Sequence, residues 1–491
     1  MNAAAIATII SAFIVFFIIN ICITVSLENR DPTKTISWLL VLTLLPGIGL
    51  AFYLLFGENM RKHQWERIQK SLESYLSNET IQHIFDDNSA KYLEKFMTVN
   101  SEGFEPLDRN IMRLALKSGT APITMNNKID IFTEGETKFE QMLQDMEKAK
   151  DHIHIEYFII KDSEIGNRVR QVLEKKAKEG VTVRIIFDVI GCKGLMLRSA
   201  FLRSLKESGC EIAAYKKSTR LLLMIKHLNY RNHRKVCVID GKIAYIGGIN
   251  IGDEYVHKDK KFGFWRDTHL RIEGAAVYML QLSFLMDWLA RTDQVILDNR
   301  YYPEITAEGE SVVQIIRSGI DTPEDTIYQS YFYAIAQAKE SVYIETPYFI
   351  PDAALLTAIK TAAMAGVDVR IIFPSFPDHI FVYHASESYL EQIAQAGAKV
   401  HFYQKGFIHS KVVLVDKEVA SVGTANMDIR SFMFNSEINA LIYDDKTVNE
   451  LYQMFYEDLK SCKSITYEEM QKKTIIKKVK QSLCRLLSPL F

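Results

Sequence analysis

The chain has 491 residues, 48% of them hydrophobic and 24% charged, and a formal net charge of −1. That length exceeds what one core supports, so two or more domains are expected, and the ordinary composition excludes bulk disorder. The near-neutral charge excludes general coating of nucleic acid or other polyanions, so any anion recognition must be local.

The chain opens on an uncharged apolar run, AAAIATIISAFIVFFIINICITV at 3–25, and a second follows, ISWLLVLTLLPGIGLAFYLLF at 36–56. Each matches the roughly 20 residues that cross a hydrocarbon core, and membrane helices tolerate a proline such as Pro46. A signal peptide fits the first run poorly. It lacks a basic leader and a small-residue cleavage site, and the second run comes at once. Arg61, Lys62, Arg67 and Lys70 follow the second run, which by the positive-inside bias places the C-terminal body in the cytoplasm. Residues 1–57 are expected to form a transmembrane hairpin and 58–122 a polar, mostly helical connector.

From about 123 strands and helices alternate. HIHIEYFII (152–160) is strand-like, EIGNRVRQVLEKKAKEG (164–180) is helix-like with a glycine stop, and VTVRIIFD (181–188) is a buried parallel-strand run. The series then recurs: SVYIETPYFIPD (341–352) answers the first strand and DAALLTAIKTAAMAG (352–366) the helix. GVDVRIIF (366–373) repeats GVTVRIIF (180–187) except at one position. This predicts a duplicated α/β unit, with halves over 123–310 and 311–470.

Within each half stands the same string, HRKVCVID at 233–240 and HSKVVLVD at 409–416. His233 with Lys235, and His409 with Lys411, are two apart in strand-like runs, so each pair presents an imidazole and an ammonium on one face. Asp240 and Asp416 fall off that face at a hairpin, where they are read as securing the turn. A second strand then ends in IGGIN (246–250) or VGTAN (422–426), which places Gly248 opposite Thr424 and Asn250 opposite Asn426. Small residues let backbone N–H groups approach an anion and asparagine adds a donor, so each set suits a tetrahedral oxyanion such as phosphate. Metal binding is disfavoured, because a lysine stands beside each histidine and no carboxylate shares its face.

Leading into the first motif, YKKSTRLLLMIKHLNYRNHRK (215–235) has an apolar centre with basic flanks. It reads either as a segment that dips into lipid headgroups or as a buried strand with basic ends. The tail at 471–491 is basic, without an acidic residue, and has apolar residues at helical spacing. It is read as an interfacial amphipathic helix or a helix docked on the body. The six cysteines (Cys22, Cys192, Cys210, Cys237, Cys462, Cys484) have no metal spacing, which fits a reducing compartment.

The paired His-x-Lys-x₄-Asp motifs resemble those of the phospholipase D superfamily. The membrane hairpin, NYRNHRKVCVIDGKIAYIGGINIGDEY, FWRDTHLRIEG, ETPYFIPD, IHSKVVLVDKEVASVGTANMDIRSFMFNSEINA and the terminal SPLF are similar to bacterial cardiolipin synthases. That resemblance covers essentially the whole chain. It implies two α/β halves packed about a pseudo-twofold axis behind the transmembrane hairpin, with His233, Lys235, Asp240, His409, Lys411 and Asp416 as the catalytic motifs. It implies phosphate-holding roles for Asn250, Asn426, Gly248 and Thr424, and names Asp267 and Glu437 as carboxylates that orient the histidines.

The implied reaction is metal-free and cofactor-free: two phosphatidylglycerols give cardiolipin and glycerol through a phosphohistidine, with His233 as nucleophile and His409 as acid–base. The implied partners are phosphatidylglycerol and other anionic phospholipids of the bacterial cytoplasmic membrane, without nucleic acid. A phospholipase D hydrolase and a phosphatidylserine synthase-like transferase are the alternatives. A nuclease of the superfamily and a non-catalytic scaffold fit less well, since neither explains two intact motifs behind membrane spans.

Overall fold

The computed structural model describes residues 106–488, apart from 120, 198, 216–229 and 307, together with a discontinuous set between 12 and 53. The apolar centre of the 215–235 segment, most of the connector and residues 489–491 of the tail lie outside the described residues. Among the described residues no helix is long and apolar enough to cross a membrane. The two runs read as spans are only partly described. Within that N-terminal unit, helix Pro32–Leu44 packs Leu42 with Ile18, Ile21 and Tyr53, and the Trp38 ring meets Tyr53 edge-on at 5.4 Å. In the same unit Phe16, Leu40, Leu44 and Ile48 are exposed.

The body is built on one continuous sheet of 16 strands. The main strands of the first half are β1 (Thr124–Phe132), β2 (His152–Tyr157), β3 (Thr182–Asp188), β4 (Glu211–Tyr215), β5 (Lys235–Ile239), β6 (Ile243–Gly247) and β7 (His269–Glu273). Those of the second are β8 (Ser311–Ser318), β9 (Ser341–Glu345), β10 (Asp368–Pro374), β11 (Lys399–Tyr403), β12 (Val412–Val415), β13 (Val419–Gly423) and β14 (Asn435–Ile442). The order across the sheet is β4-β3-β2-β5-β6-β7-β1-β8-β14-β13-β12-β9-β10-β11, with Cys462–Ile465 at the far edge. Read outward from the antiparallel β1–β8 junction, both halves give one order. The outer three strands of each run parallel, as the βαβ pattern requires, and the inner ones antiparallel. The duplication read from two recurring strings is the plan of the sheet.

The predicted elements form where the sequence puts their ends. Helix Glu164–Lys178 starts at Ser163, whose hydroxyl accepts from the Gly166 N–H, and Asp352 caps Ala353–Met364 in the same way. Helix Ala276–Thr292 is buried from Ala276 to Leu289 and lies in a core shared by strands of both halves. That helix is apolar nearly all round because protein surrounds it. Helix Pro106–Gly119, within the stretch read as a connector, packs Ile111, Met112 and Ala115 into the core of the second half.

Candidate active site

The first strand of each hairpin begins later than its motif. Lys235 opens β5 and Val412 opens β12, so His233 and His409 precede the ladders instead of lying in them. Each histidine backbone is held by the opposite half. The His233 N–H donates to the Ser436 carbonyl at 2.9 Å, and the His409 N–H to the Arg266 carbonyl at 2.7 Å. Short parallel pairings reinforce this crossing, Arg231–Asn232 with Asn435 and Ser436, and Phe264–Arg266 with Gly406–Ile408.

The side chains cross as well. His233 Nδ1 lies 2.9 Å from the Glu437 carboxylate, and His409 Nδ1 lies 2.7 Å from Asp267. Each carboxylate is buried and belongs to the half that does not supply the histidine. Holding Nδ1 leaves Nε2 as the open ring atom, and neither Nε2 has a hydrogen-bond partner among the described residues. Lys235 Nζ donates to the His233 carbonyl at 2.6 Å and Lys411 Nζ to the His409 carbonyl at 2.5 Å. His233 Nδ1 also lies 3.1 Å from the carbonyl of Thr424, at the end of the strand that follows the second motif, so both motifs share one cleft. Phe158 meets the His233 ring edge-on at 4.9 Å, and Trp265 stands 5.2 Å from the His409 ring.

These walls set the electrostatics. Burial lowers the pKa of His233 and takes that of His409 down to about 4, with the neighbouring lysines adding to the effect. Burial also brings Lys235 to about 7 and Lys411 to about 8. For Glu437 burial acts upward, but His233 and Lys235 outweigh it and keep the carboxyl low; Lys411 and His409 do the same for Asp267. The cleft therefore holds two ionised carboxylates behind two largely neutral imidazoles. An entering phosphodiester anion would raise the pKa of both lysines.

The remaining motif residues are placed as follows. The Asp240 carboxylate accepts from the N–H groups of Lys150, Asp151 and His152, at 2.8, 2.8 and 2.9 Å. Asp416 does the same for Lys339, Glu340 and Ser341. Both have positive φ, as do Gly241 and Lys417 beside them, the backbone of a two-residue hairpin turn. They lock the turn to the start of β2 or β9, away from the histidine rings.

Asn250 commits Oδ1 to the Ile159 N–H and one amide hydrogen to Tyr255, whereas Asn426 Oδ1 is buried without a partner among the described residues. Gly248 lies against Asp267, and a Cβ there would stand 2.0 Å from Oδ1. Its counterpart Thr424 donates its hydroxyl to Glu437 at 2.6 Å.

Residues 142–267 and 331–459 match the family model described as cardiolipin synthase, phospholipase D-like domain, and residues 6–58 match a phospholipase D-nuclease N-terminal model. The chain is 42% identical over 485 residues to a cardiolipin synthase of Listeria welshimeri, covering 97% of this chain and 98% of that one. It is also 42% identical over 484 residues to the major cardiolipin synthase of Bacillus subtilis, with coverage of 97% and 98%. The chain belongs to the cardiolipin synthase family. The fold is shared with a phosphatidylserine synthase of Haemophilus influenzae, at a TM-score of 0.58 and 16% identity over 78% of this chain and 98% of that one.

Beneath this cardiolipin synthase cleft lies a layer of buried charge that the motif spacing did not reveal. Arg234, between His233 and Lys235, contacts Asp287, places Nη2 3.0 Å from Asp321 and donates Nε to the Glu437 carbonyl at 3.2 Å. In the second half the corresponding motif position is Ser410, and the cation comes from Arg266, the residue before Asp267. Arg266 Nε donates to Asp458 at 2.7 Å, and Nη2 stands 3.8 Å from Glu345. The residue before Glu437 is Ser436, so arginine and serine exchange positions between the halves. Glu156 and Glu345 also lie in these clusters. Burial raises the pKa of both, Glu345 to about 7.

Proposed function

We propose that this cleft transfers a phosphatidyl group between two phosphatidylglycerol molecules, giving cardiolipin and glycerol. Family membership makes the chain a phosphatidyltransferase. The observation that carries the mechanism is the reciprocal support of two histidines, each backed by a carboxylate from the other half.

In the first step His233 Nε2 attacks phosphorus, a P–N bond forms, and the P–O bond to the headgroup glycerol breaks. His409, protonated at Nε2 once the entering phosphodiester anion raises its pKa, gives that alkoxide its proton. In the second step the terminal hydroxyl of another phosphatidylglycerol gives its proton to His409 and attacks phosphorus, and the P–N bond breaks. Glu437 and Asp267 hold the rings in the tautomer with Nδ1–H and stabilise the imidazolium forms. Lys235, Lys411, Asn250 and Asn426, with the backbone at Gly248 and Thr424, receive the non-bridging oxygens, whose charge must be stabilised through the transition state. Asp240 and Asp416, counted with the motifs by resemblance, act by fixing the hairpins. The buried aromatic walls favour an alcohol acceptor over water.

Residues 1–57 anchor the body as a membrane hairpin in the bacterial cytoplasmic membrane, with the catalytic body at 123–470 facing the cytoplasm. The two apolar runs and the cations after the second support this. Incubation of purified protein with phosphatidylglycerol as sole substrate, followed by trapping at neutral to alkaline pH, where the acid-labile P–N bond survives, and peptide mapping, tests the reading. Cardiolipin and free glycerol in equal amounts, with a phosphoryl adduct on His233, are expected. Phosphatidic acid alone would identify a hydrolase, and an adduct only on His409 would reverse the two roles.

A further inference from the structure

The C-terminal helix Ile475–Leu486 is mounted inside out. Polar residues of the helix and of the segment just before it hold it to the body: Lys473 Nζ lies 2.5 Å from the Glu391 carboxylate and Lys477 Nζ 2.9 Å from Glu387. The Gln481 amide donates to Glu387 at 3.0 Å. The helix residues buried against the body are Gln481 and Cys484. The apolar residues point the other way: Ile475 is 80% exposed, Ile476 81%, Leu483 57% and Leu486 71%. A surface helix normally buries its apolar stripe and hydrates its charges, so this arrangement implies an apolar partner on the outer face.

Charge names that partner. Lys472, Lys478, Lys480 and Arg485 are exposed and have no ion-pair partner among the described residues, and the sequence holds no acidic residue from 471 to the end. An apolar stripe bordered by unpaired cations complements a bilayer surface bearing anionic headgroups. It disfavours a second copy of the same helix, because face-to-face pairing would bring like charges together.

Position gives the surface a purpose. The tail helix runs antiparallel to helix Ile380–Gln395, so Lys473 meets Glu391 while Cys484 reaches Ala385 and Ile350. Ile350 belongs to the short strand paired with Met427 and Asp428, directly after Asn426. Helix Ile380–Gln395 itself starts beside Asp378, whose charge reaches Lys411, and carries exposed Ile380 and Phe381 in its first turn.

We propose that helix Ile475–Leu486 lies in the interface of a membrane rich in anionic phospholipid. Its apolar face sits among the acyl chains, its cations sit at the phosphates, and Glu387 and Glu391 couple it to the wall of the cleft. The cleft mouth is thereby held at the lipid surface that supplies substrate. This rests on the reading that the substrate is phosphatidylglycerol.

The test uses the full chain in phosphatidylglycerol vesicles, with a photo-crosslinking residue placed at Ile476, at Leu483, or at exposed Lys446 as control. Phospholipid adducts at the first two positions and none at Lys446 are expected. Adducts to a second copy, to another segment of the chain, or none at all would overturn the proposal. The double variant Ile476→Asp/Leu483→Asp should raise the apparent KM for vesicle phosphatidylglycerol while leaving the rate on soluble short-chain phosphatidylglycerol unchanged, which also shows that it folds. Neutralising either cation, by Lys478→Gln or Lys480→Gln, should weaken vesicle affinity about fivefold each. An unchanged KM in all these variants would overturn the proposal. If the unaltered protein makes no cardiolipin, the substrate reading fails, while the adducts still report whether the helix docks.

Discussion

Glu437 stands 204 residues from His233 in the sequence and 2.9 Å from its Nδ1 in space. Asp267 and His409 repeat the relationship in the opposite direction, 142 residues apart and 2.7 Å away. Neither half therefore contains a complete histidine–carboxylate pair. In the proposed mechanism the reciprocal crossing makes the interface between the duplicated units part of the chemistry.

Glu437→Gln and Asp267→Asn keep the shape but lose the charge that fixes each tautomer and stabilises its imidazolium. Losing this support in a hydrogen-bonded triad costs about 10⁴ in kcat at the upper end, and general acid–base assistance contributes about 10²–10⁴-fold. Each variant should lose activity in that range while keeping its fold, measured as cardiolipin formed per mole of folded enzyme. A loss of only a few-fold would reduce the carboxylates to packing.

The pH dependence follows from burial. The His233 pKa lies below the ordinary value and that of His409 is about 4, so a neutral nucleophile survives acidification below the unperturbed value of about 6.5. The acid limb of kcat/KM should fall below that value. Glu437 raises the His233 pKa, so Glu437→Gln should move the limb further to acid. Stability carries the same sign. Between about 4 and 6.5 the unfolded chain binds a proton at residue 409 that the folded chain does not, so stability rises with pH across that window and is lost as pH falls through it. Thermal unfolding of His409→Asn should show a shallower decline over the window than the unaltered protein.

Asp240 and Asp416 separate structure from chemistry. Each accepts three backbone N–H groups at the start of a core strand. Asp416→Asn replaces a charged acceptor by one whose amide hydrogens face donors. Leaving buried donors unpaired costs about 1–3 kcal/mol. Denaturant unfolding should show that loss, with kcat per folded molecule nearly unchanged. A large fall in kcat at full stability would return Asp416 to the reacting groups.

Short-range pattern made much of this legible. The repeated strand VRIIF and the two His-x-Lys strings revealed the duplication because they are contiguous and have the period of buried strands. Asp240 read correctly as a turn residue because Asp-Gly favours a two-residue hairpin. Partners far along the chain carried no such signal. The roles of Asp267 and Glu437 came from resemblance alone, since no spacing links a histidine to a carboxylate in another strand of the other half. The exchange of Arg234 and Arg266 between motif positions breaks the internal repeat and so hides from it. Helix Pro106–Gly119 belongs to the core of the second half, with Ser118 hydrogen-bonded to Thr326 across 208 residues. The tail showed its amphipathicity, but only the ion pairs to Glu387 and Glu391 reveal which face is turned outward.

Gly248 offers the most local test of the site. An added Cβ would stand 2.0 Å from Asp267 Oδ1 and 2.7 Å from Oδ2. The carboxylate has little freedom to withdraw, because the Thr268 N–H holds Oδ1 at 2.8 Å and His409 holds Oδ2 at 2.7 Å. Gly248→Ala must therefore displace Asp267 from the ring it orients. Disturbing such a supporting contact costs about 10–100-fold in metal sites, and a loss of that order in kcat is expected here. Groups acting through one carboxylate are non-additive. The double variant Gly248→Ala/Asp267→Asn should be no slower than Asp267→Asn alone. If instead the methyl lowers kcat by the same factor in both backgrounds, it acts on the phosphate directly, and Gly248 is a binding residue instead of the space into which Asp267 fits.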